Sequence, residues 1–501
     1  MVVAPSPRAC PEPGLRDEAA YDEVVLPGEG TDDRRFAGGG IVVGDFDSDG
    51  DLDLVAPGPV DARYLRNDAG VFVDDPAALP ALDYTRAAGG AAADMDRDGD
   101  LDLVLTRWDR GDYLLRNDGG VFVDTGVLAQ ATARHSQSAT WGDFDLDGDL
   151  DFAVAGHGQA EEVDNQLIID HPGDPSGLYY GDGAGGFTDE SARFAATLHS
   201  GYTFVIGLTE LNGDGQPDFV FANDYPSWLP GMPAIFQDGG WRVGEASLGL
   251  HVPLAGMGLA IGDLNEDGVD DFIQPVWNRL AYLRSLPAAA TWVEAAQASG
   301  FAVPPHEQGD DWVGWGAEMV DVDNDADLDV VVAFGRLDVI ASYAGSAGIH
   351  NTESQRFAVY LQDDGVFAES ASTLGLDRIG AYRGFVSADF NGDGWLDFAR
   401  RDLNGPIVLN LSRCGAASWV EVVPDPPADA VGAVVTVRAG GREQRHTVRA
   451  GGTSVNSGGP PVAHFGLGAA EAIDEVEVRW TDGTVTATGP IEARQVVVVG
   501  R

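Results

Sequence analysis

The chain contains no lysine, and this absence narrows the chemistry that is open to it. All 30 basic residues are therefore arginines, against 81 acidic residues, and the formal net charge is −51. Without lysine, catalysis through a Schiff base or a lysine nucleophile is excluded. So acidic a surface also excludes nucleic acid or an anionic membrane as the main partner. Binding of cations becomes the leading expectation.

Cysteine and long apolar runs are scarce as well. Cys10 and Cys414 are the only two cysteines among 501 residues, too few for a disulfide scaffold or a thiolate metal site. No stretch reaches the roughly 20 apolar residues of a membrane-spanning helix, so membrane insertion is not expected. The first residues, MVVAPSPRACPEPG, lack the apolar segment of a signal peptide, so the protein is either cytosolic or has lost a leader.

What the chain has in quantity is one acidic loop, repeated seven times. The pattern is a small or β-branched run, then DxDxDGxxD, then an apolar run. We call these segments acidic loops one to seven; they span residues 45–53, 94–102, 143–151, 210–218, 263–271, 321–329 and 389–397. Each unit also carries four short segments rich in β-branched and aromatic residues, separated by glycine or Asn-Asp turns. Four antiparallel strands per unit, repeated about an axis, predict an all-β fold, a seven-bladed β-propeller.

The two ends of this repeat predict how the ring closes. After acidic loop seven come a second strand and a third, at 407–412, but no fourth, and residues 15–20 resemble the fourth-strand segment 187–192. We therefore expect an N-terminal strand to complete the last blade. Cys10 would precede this strand and Cys414 would end its neighbour, which predicts a disulfide and an oxidising compartment. The alternative is two unrelated cysteines.

Oxygen ligands at alternate positions of each acidic loop predict calcium sites, up to seven in all. Ca²⁺ takes about 6–8 oxygens, and glycine at position six permits the sharp turn that brings them together. Positions 1, 3, 5 and 9 would offer side chains and position 7 its backbone carbonyl. Loops four and six, with Glu210 first and Ala326 in place of glycine, are expected to be weak or empty. The alternative is that the acidic turns only cap strands.

The predicted ligands, loop by loop, are Asp45, Asp47, Asp49, Asp51 and Asp53; Asp94, Asp96, Asp98, Asp100 and Asp102; Asp143, Asp145, Asp147, Asp149 and Asp151; Glu210, Asn212, Asp214, Gln216 and Asp218; Asp263, Asn265, Asp267, Val269 and Asp271; Asp321, Asp323, Asp325, Asp327 and Asp329; and Asp389, Asn391, Asp393, Trp395 and Asp397.

The C-terminal residues, 415–501, differ from the repeats at 1–414 and predict a second domain. Short strands with Ala-Gly-Gly and Asp-Gly turns predict a small β-sandwich, in which His464 and Trp480 are expected to pack rather than to catalyse.

The quoted motifs resemble known families. The acidic units resemble the FG-GAP/VCBS propeller family, in particular the bacterial relatives of cartilage acidic protein 1. The segments SWVEVV (418–423), VGAVVTVRAGGREQRHTVRAGGT (431–453), HFGLG (464–468) and VEVRWTDG (476–483) resemble the ASPIC/UnbV domain. The resemblance implies calcium in the blade loops, and roles from adhesion and ligand binding to natural-product pathways. It also implies secretion, so we expect a secreted or periplasmic protein whose leader is absent from this chain, and a monomer.

The connections opposite the acidic loops carry arginine, tryptophan and histidine, which are scarce elsewhere in the chain. Convergent aromatic and cationic groups at a propeller mouth predict a pocket for a ligand, which could be a glycan, a protein or a small anionic or aromatic molecule. The alternative is ordinary loop residues that make local hydrogen bonds. Inserts at 155–177 and 335–358 could wall this pocket. The candidate residues are Arg86, Arg107, Trp108, His135, His157, Tyr202, Asn223, Asp224, Trp277, Asn278, Trp312, Arg336, Arg383 and Arg401.

Three functions remain open at this point. The first is a calcium-stabilised module for binding or adhesion. The second is an enzyme of lyase or cyclase type, with its active site in the central funnel, a histidine such as His135 or His157 as general acid or base, and an arginine holding an anion. The third is a rigid spacer for the C-terminal domain. No GxSxG, HExxH or P-loop motif occurs, which favours binding.

Overall fold

Strands make up nearly all the regular structure of the protein. The structure is a computed structural model that describes residues 21–26, 39–58, 60–130, 134–158, 161–163, 166–168, 172–196, 198, 201–225, 231–303, 312–335, 355–402, 406–413 and 415–501. Its helices are short: α1 (Ala371–Leu374), α2 (Pro427–Ala430) and 3-10 turns at Val127–Gln130, Ser191–Arg193, Ala246–Leu248 and Pro287–Ala289. The all-β fold class predicted from the sequence is confirmed.

Each acidic loop joins the first two strands of a four-stranded antiparallel unit, which we call a blade. Among the described residues, five of these units are separate four-stranded sheets, whereas the units of acidic loops two and three are joined into one nine-stranded sheet. Blade one contains β2 (Val42–Gly44), β3 (Asp53–Pro57), β4 (Ala62–Asp68) and β5 (Val71–Asp74). Blade two contains β6 (Ala87–Ala93), β7 (Asp102–Arg110), β8 (Tyr113–Asn117) and β9 (Phe122–Asp124). Blade three contains β10 (Arg134–Gly142), β11 (Asp151–Gly156), β14 (Gly177–Gly181) and β15 (Phe187–Asp189), with the hairpin β12 (Glu161–Val163) and β13 (Gln166–Ile168) inserted.

The remaining blades repeat this order. Blade four contains β16 (Thr203–Thr209), β17 (Asp218–Asn223), β18 (Met232–Gln237) and β19 (Gly240–Val243). Blade five contains β20 (Ala260–Gly262), β21 (Asp271–Val276), β22 (Arg279–Leu286) and β23 (Thr291–Glu294). Blade six contains β24 (Gly314–Val320), β25 (Asp329–Phe334), β26 (Phe357–Asp363) and β27 (Val366–Glu369). Blade seven contains β28 (Tyr382–Ala388), β29 (Asp397–Asp402), β30 (Ile407–Ser412) and the N-terminal β1 (Tyr21–Val25).

The N-terminal strand completes blade seven, but it lies further along the chain than expected. Strand β1 pairs antiparallel with β30, from Tyr21 opposite Ser412 to Val25 opposite Val408. The prediction of residues 15–20 for this strand is therefore wrong, and those residues lie outside the described part of the chain. Outer strands are a weak sequence signal because most of their side chains are exposed, as in β5, so alternation of buried and exposed residues is not a guide there.

A separate hydrophobic cluster lies between each pair of neighbouring blades and holds the ring together. The cluster between blades seven and one contains Ile41, Leu54, Val386 and Leu409, so the last blade packs on the first. Burial of apolar surface in these clusters drives the assembly of sheets that would be marginal alone.

The C-terminal residues form a β-sandwich, as predicted. One sheet has the order β35 (Ala463–Gly468), β31 (Ser418–Asp425), β39 (Gln495–Gly500), and the other contains β33 (Arg442–Thr447), β32 (Val434–Ala439), β36 (Ala472–Arg479), β37 (Val485–Thr488) and β38 (Ile491–Glu492). Valine, phenylalanine and leucine side chains from both sheets fill the core between them, and Trp480 packs there as expected. The sandwich sits on the propeller face that carries the acidic loops, which we call the loop face.

A segment of the sandwich, residues 450–458, runs down the propeller axis, and we call it the axial segment. It begins with β34 (Ala450–Gly451), which pairs with Thr140 and Trp141 of β10. Further along, Ser454 accepts a hydrogen bond from Leu259 and donates one back, and Gly458 does the same with blade one. The central channel of the propeller is therefore filled by the protein's own C-terminal domain.

Glycines in the first strands let the axial segment approach this closely. A Cβ at Gly40 would lie 1.6 Å from the backbone oxygen of Asn456, and one at Gly89 would lie 2.3 Å from the same atom. Gly384 meets the axial segment in the same way, since a Cβ there would lie 2.6 Å from Val455 O. No side chain larger than hydrogen fits at these positions.

Candidate functional site

The acidic loops share one backbone conformation that depends on two left-handed residues. Position six has a positive φ in every loop, including Ala326 at 81°. Position four is also left-handed in every loop, although its residue type varies: Ser48, Arg97, Leu146, Gly213, Glu266, Asn324 and Gly392. Loop six therefore keeps the shared conformation despite its alanine, at the cost of strain that glycine would not have.

The aspartate at position nine fastens each acidic loop to its blade. In loop two, Asp102 accepts hydrogen bonds from Met95 N at 2.9 Å and from Asn117 N at 2.8 Å. The equivalent residues accept in the same manner from the loop's second residue and from the third strand in loops one, three, four, six and seven. Both oxygens of Asp102 are thus used by the backbone, which gives this residue a structural role.

Carboxylates of four acidic loops converge closely enough to hold a metal ion. The ligand atoms within each group lie within 4.8 Å of one another, and the groups are Asp45, Asp47, Asp49; Asp94, Asp96, Asp102; Asp143, Asp145, Asp151; and Asp321, Asp323, Asp325. Three buried oxygens in these groups, Asp47 Oδ1, Asp94 Oδ1 and Asp96 Oδ1, have no hydrogen-bond partner. Buried acceptors without a donor are costly, so these oxygens fit a cation.

Without a cation, the buried carboxyls are poorly solvated. Burial raises the pKa of Asp94 to about 6 and that of Asp102 to about 8, and neighbouring carboxylates add to the effect. Asp45 and Asp143 are raised to about 6 for the same reason. A bound cation would offset this cost by stabilising the charged form.

Arginines of the sandwich fasten it to the loop face. Arg442 pairs with Glu266 of loop five and Asp327 of loop six. Arg449 lies 2.7 Å from Asp270, and both side chains are mostly buried. One contact has the arginine on the propeller and the carboxylate on the sandwich: Arg97 of loop two lies 3.0 Å from Asp429 of α2. The acidic loops therefore carry the docking surface of the C-terminal domain as well as the carboxylate groups that could hold a metal ion.

On the opposite face, the structure brings together an aromatic and histidine cluster from blades two to four. The ring of Trp108 lies 4.7 Å from that of His135 and 5.5 Å from that of His157. His157 in turn lies 5.4 Å from Tyr202 and 6.2 Å from Tyr225. We call this group the aromatic cluster. It lies off the axis, which is filled by the axial segment.

Two carboxylates face the histidines of the aromatic cluster. Asp174 Oδ2 lies 2.8 Å from His135 Nδ1 and accepts a second hydrogen bond from His135 N at 2.7 Å. Burial raises the pKa of Asp174, but these hydrogen bonds outweigh it and hold that pKa below its usual value. Asp224 Oδ2 lies 3.8 Å from His157 Nε2, a buried nitrogen without a hydrogen-bond partner.

The predicted arginines of this face are held by other parts of the protein. Arg107 is 7% exposed, donates to Gly111 O at 2.5 Å and stacks 4.0 Å above the Tyr113 ring. Arg86 lies 2.5 Å from Asp109 Oδ2. Arg383 is buried 4.0 Å above the ring of Trp315, and Arg401 is so buried that its pKa falls to about 10.

The other predicted residues of this face lie apart from the aromatic cluster or beneath it. Asn223 is buried and hydrogen-bonded to Thr203 Oγ1, and Asn278 accepts from Trp312 N at 2.7 Å. Trp277 packs on the core between blades four and five. Arg336, Cys10 and Cys414 lie outside the described residues, so neither that candidate nor the disulfide is described.

Sequence reasoning missed two members of this site, Asp174 and Tyr225. Asp174 belongs to the insert at 155–177, which was expected to wall a pocket, but nothing in its HPGDP context marks it as a partner of His135. Tyr225 follows the predicted residue Asp224 directly, and this adjacency is the one feature of the sequence that could have pointed to it. As for membranes, none of the helices in the described ranges has the length and hydropathy needed to span a bilayer.

Two family profiles match the chain. The profile named ASPIC and UnbV matches residues 424–501, and the FG-GAP-like repeat matches residues 45–105 and 94–154. These matches fall on the sandwich and on acidic loops one to three. The chain therefore contains FG-GAP-like repeats within its propeller and a C-terminal ASPIC and UnbV domain.

Among curated proteins, the chain is similar to cartilage acidic protein 1. The Homo sapiens protein is 28% identical over 287 residues, 55% of this chain and 39% of that protein. The Mus musculus protein is 28% identical over 253 residues, 48% of this chain and 36% of that protein. The match thus spans under two-fifths of these relatives, and the family resemblance predicted from the motifs is confirmed.

Solved structures show more distant likenesses. An Agrocybe aegerita lectin specific for non-reducing terminal N-acetylglucosamine is 15% identical, with a TM-score of 0.42, over 75% of this chain and 94% of the lectin. YCF48 bound to a D1 peptide is 12% identical, with a TM-score of 0.44, over 80% of this chain and 97% of that chain. Likenesses of this size carry no information about a ligand.

Proposed function

We propose that the protein is an exported, calcium-binding propeller that binds a hydroxyl-rich ligand, such as a glycan, at the aromatic cluster. The observation that carries the ligand is the pair His157 Nε2 and Asp224 Oδ2, 3.8 Å apart. The Nδ1 of His157 lies 2.7 Å from Gly158 O and so donates to it, which leaves Nε2 as an acceptor in the neutral ring. Two neighbouring acceptors suit two neighbouring donors, and vicinal hydroxyl groups of a sugar supply these, one hydroxyl donating to each acceptor.

The rest of the cluster favours the same class of ligand. Trp108 and Tyr225 offer ring surface for the apolar face of a sugar, and Asp174 offers a further acceptor. An anionic ligand is disfavoured because the carboxylates of Asp174 and Asp224 would repel it. The nearby guanidinium of Arg107 is already bound to backbone oxygens.

Calcium is the cation that the acidic loops fit best. Their ligands are all oxygens, which suits a hard cation, and the partnerless oxygens of Asp47, Asp94 and Asp96 mark where it would bind. Bound calcium would supply positive charge to the buried carboxylates. The same residues would hold the loop face in the shape on which the sandwich docks.

Export is supported by the likeness to cartilage acidic protein 1.

Titration calorimetry with methyl glycosides of galactose, N-acetylglucosamine and galacturonic acid tests the proposed ligand site. We expect a neutral glycoside to bind the calcium-loaded protein, and Asp224→Asn and Trp108→Ala to weaken it at least tenfold, because anchors of this type dominate binding energy. Asp238→Asn, an exposed turn residue of the same blade, is the matched control. Preferential binding of galacturonate, or equal binding by Asp224→Asn, would contradict the proposal.

The pair formed by His135 and Asp174 favours a second candidate, an enzyme acting on the same ligand. A carboxylate 2.8 Å from Nδ1 orients the imidazole and leaves Nε2 to accept or donate a proton. If the protein is an enzyme, His135→Ala will abolish conversion of the bound glycoside, followed by mass spectrometry, while binding persists. Absence of any product with the wild-type protein would leave binding as the function and overturn this candidate.

A further inference from the structure

A cavity of about 130 Å³ lies between the sandwich and the propeller, away from the aromatic cluster, and both polar and apolar side chains line it. Its floor is made by the loop-face ends of the first strands of blades five to seven, and its roof by the sandwich and by both ends of the axial segment. At about 10–15 Å³ for each water-sized position, the volume corresponds to about ten waters. A molecule of several non-hydrogen atoms fits in it.

The propeller contributes a half-buried carboxylate whose position is fixed by hydrogen bonds. Glu318 of β24 accepts hydrogen bonds at Oε2 from Ser387 N, at 3.0 Å, and from Ser387 Oγ, at 2.5 Å. Both bonds go to one oxygen, and Glu318 lines the cavity, so its other oxygen remains for a ligand. The two donors fix the carboxylate across the boundary between blades six and seven.

The sandwich contributes a second carboxyl and two imidazoles. Glu421 of β31 is paired with His464 of β35 in an antiparallel register, so their side chains project from the same face of the sheet. His464 Nε2 donates to Gly394 O at 3.1 Å, which makes Nδ1 an acceptor, and this buried Nδ1 has no partner. His446 of β33 completes the wall.

The balance of groups in the cavity calls for a ligand that donates hydrogen bonds and carries positive charge. Glu318, Glu421 and His464 Nδ1 are acceptors, whereas the cationic group in the wall, Arg449, is paired with Asp270 at 2.7 Å. Burial raises the pKa of Glu318 to about 7 and that of Glu421 to about 8, the latter with help from Asp389. Both carboxyls thus lack a compensating cation.

A single metal ion does not satisfy this arrangement. In the described part of the chain, sets of three carboxylate or imidazole atoms within 4.8 Å of one another occur in acidic loops one, two, three and six. Asp321 of the loop six set lies at the edge of the cavity, but Glu318, Glu421, His446 and His464 belong to none of these sets. They are therefore spaced for a longer ligand that spans them. Apolar walls from Met319, Leu328 and Val386 suit a short hydrocarbon chain.

We propose that this cavity binds a small aliphatic amine, with its ammonium group held by Glu318 or Glu421 and its chain against the apolar wall. The site exists only when the sandwich is docked on the propeller, because each domain supplies one of the two carboxyls. An amine bound there joins the two domains and stabilises their docking.

Titration calorimetry with 1,4-diaminobutane tests the proposal on the full chain saturated with calcium, and 1,4-butanediol serves as the uncharged analogue. We expect one diamine per chain and no heat with the diol. Glu421→Gln and Glu318→Gln should each weaken diamine binding at least tenfold. Glu471→Gln, an exposed carboxylate of the same domain, should leave it unchanged.

Val462→Phe provides a second variant that does not depend on the carboxylates. Val462 lines the cavity, so a larger side chain should occupy it, abolish diamine binding and leave thermal unfolding of the ligand-free protein intact or raised. Equal binding by the wild type and Glu421→Gln, equal binding of diamine and diol, or no diamine binding at millimolar concentration would each overturn the proposal.

Discussion

The substitution Gly40→Ala tests whether the axial segment is part of the folded core. Its Cβ would lie 1.6 Å from Asn456 O and 2.4 Å from Asn456 C, so the two backbones must separate by about 2 Å to reach ordinary contact. Because the obstacle is backbone and not the end of a flexible side chain, no rotamer change relieves the clash.

The expected cost follows from what that separation breaks. The hydrogen bonds from Gly458 N to Ile41 O, at 3.0 Å, and from Ile41 N to Ser457 Oγ, at 3.2 Å, lie beside Gly40. Each is worth about 1 kcal/mol net, and overpacking of a core costs about 1–3 kcal/mol in addition. We therefore expect Gly40→Ala to lower the free energy of unfolding by about 3–5 kcal/mol.

Urea unfolding followed by tryptophan fluorescence measures this loss, with Gly111→Ala as the matched control. A Cβ at Gly111 would meet nothing nearer than Leu128 O at 4.0 Å, so its substitution should change stability by under about 1 kcal/mol. Limited proteolysis should also cut Gly40→Ala faster within residues 450–458. If both variants unfold at the same urea concentration, the axial segment does not fill the channel as described.

Three further predictions concern the acidic loops. Asp102→Ala should lose about 2–4 kcal/mol in urea unfolding even without calcium, because two backbone donors lose their acceptor. Asp96→Ala should lose stability only when calcium is present, because its buried Oδ1 has no hydrogen-bond partner to lose; an unchanged stability of calcium-free Asp102→Ala would contradict the structural role. Ala326→Gly should raise the free energy of unfolding by up to about 1 kcal/mol, and with it the melting temperature, since it replaces an alanine in the left-handed conformation. A lower melting temperature would show that Ala326 is not strained. Calcium-free protein should melt at a higher temperature as the pH falls from 8 to 6. The pKa values of about 6 for Asp94 and about 8 for Asp102 exceed the unfolded value of 3.8, so the folded state binds more protons than the unfolded state in this range. A melting temperature that falls with pH in scanning fluorimetry would show that folding does not raise these pKa values.

The sequence predicts the propeller well because the acidic loop and the strand pattern around it recur seven times along the chain. Strand three of the last blade, residues 407–412, falls where the pattern places it, and so does the order of strands around each acidic loop. The closing strand is misplaced because outer strands, such as β5, expose most of their side chains, so periodicity carries little information about them. The left-handed conformation at position four could not be predicted because five different side-chain types, and glycine in two loops, occupy that position.

The axial segment and the aromatic cluster show where sequence reasoning stops. Recurrent glycines in the first strands, such as Gly89 and Gly384, signal a close approach but not what approaches. Arg107 and Trp108 are adjacent in the sequence, and both residue types are common in ligand sites. In the structure, however, Arg107 is bound to backbone oxygens, and only Trp108 faces the two histidines. Residue type gives the chemistry available at a position, whereas partners from distant segments, such as Asp174, decide how it is used.

The central claim is that calcium in the acidic loops stabilises the propeller, and thermal unfolding with and without chelator tests it most directly. Removal of calcium should lower the melting temperature by over about 10 °C, because several sites lose a ligand that binds only the folded state. Calcium should restore the original value, and magnesium should do so poorly, since it demands a smaller octahedral shell. An unchanged melting temperature in chelator, with metal analysis confirming a metal-free protein, would contradict the account.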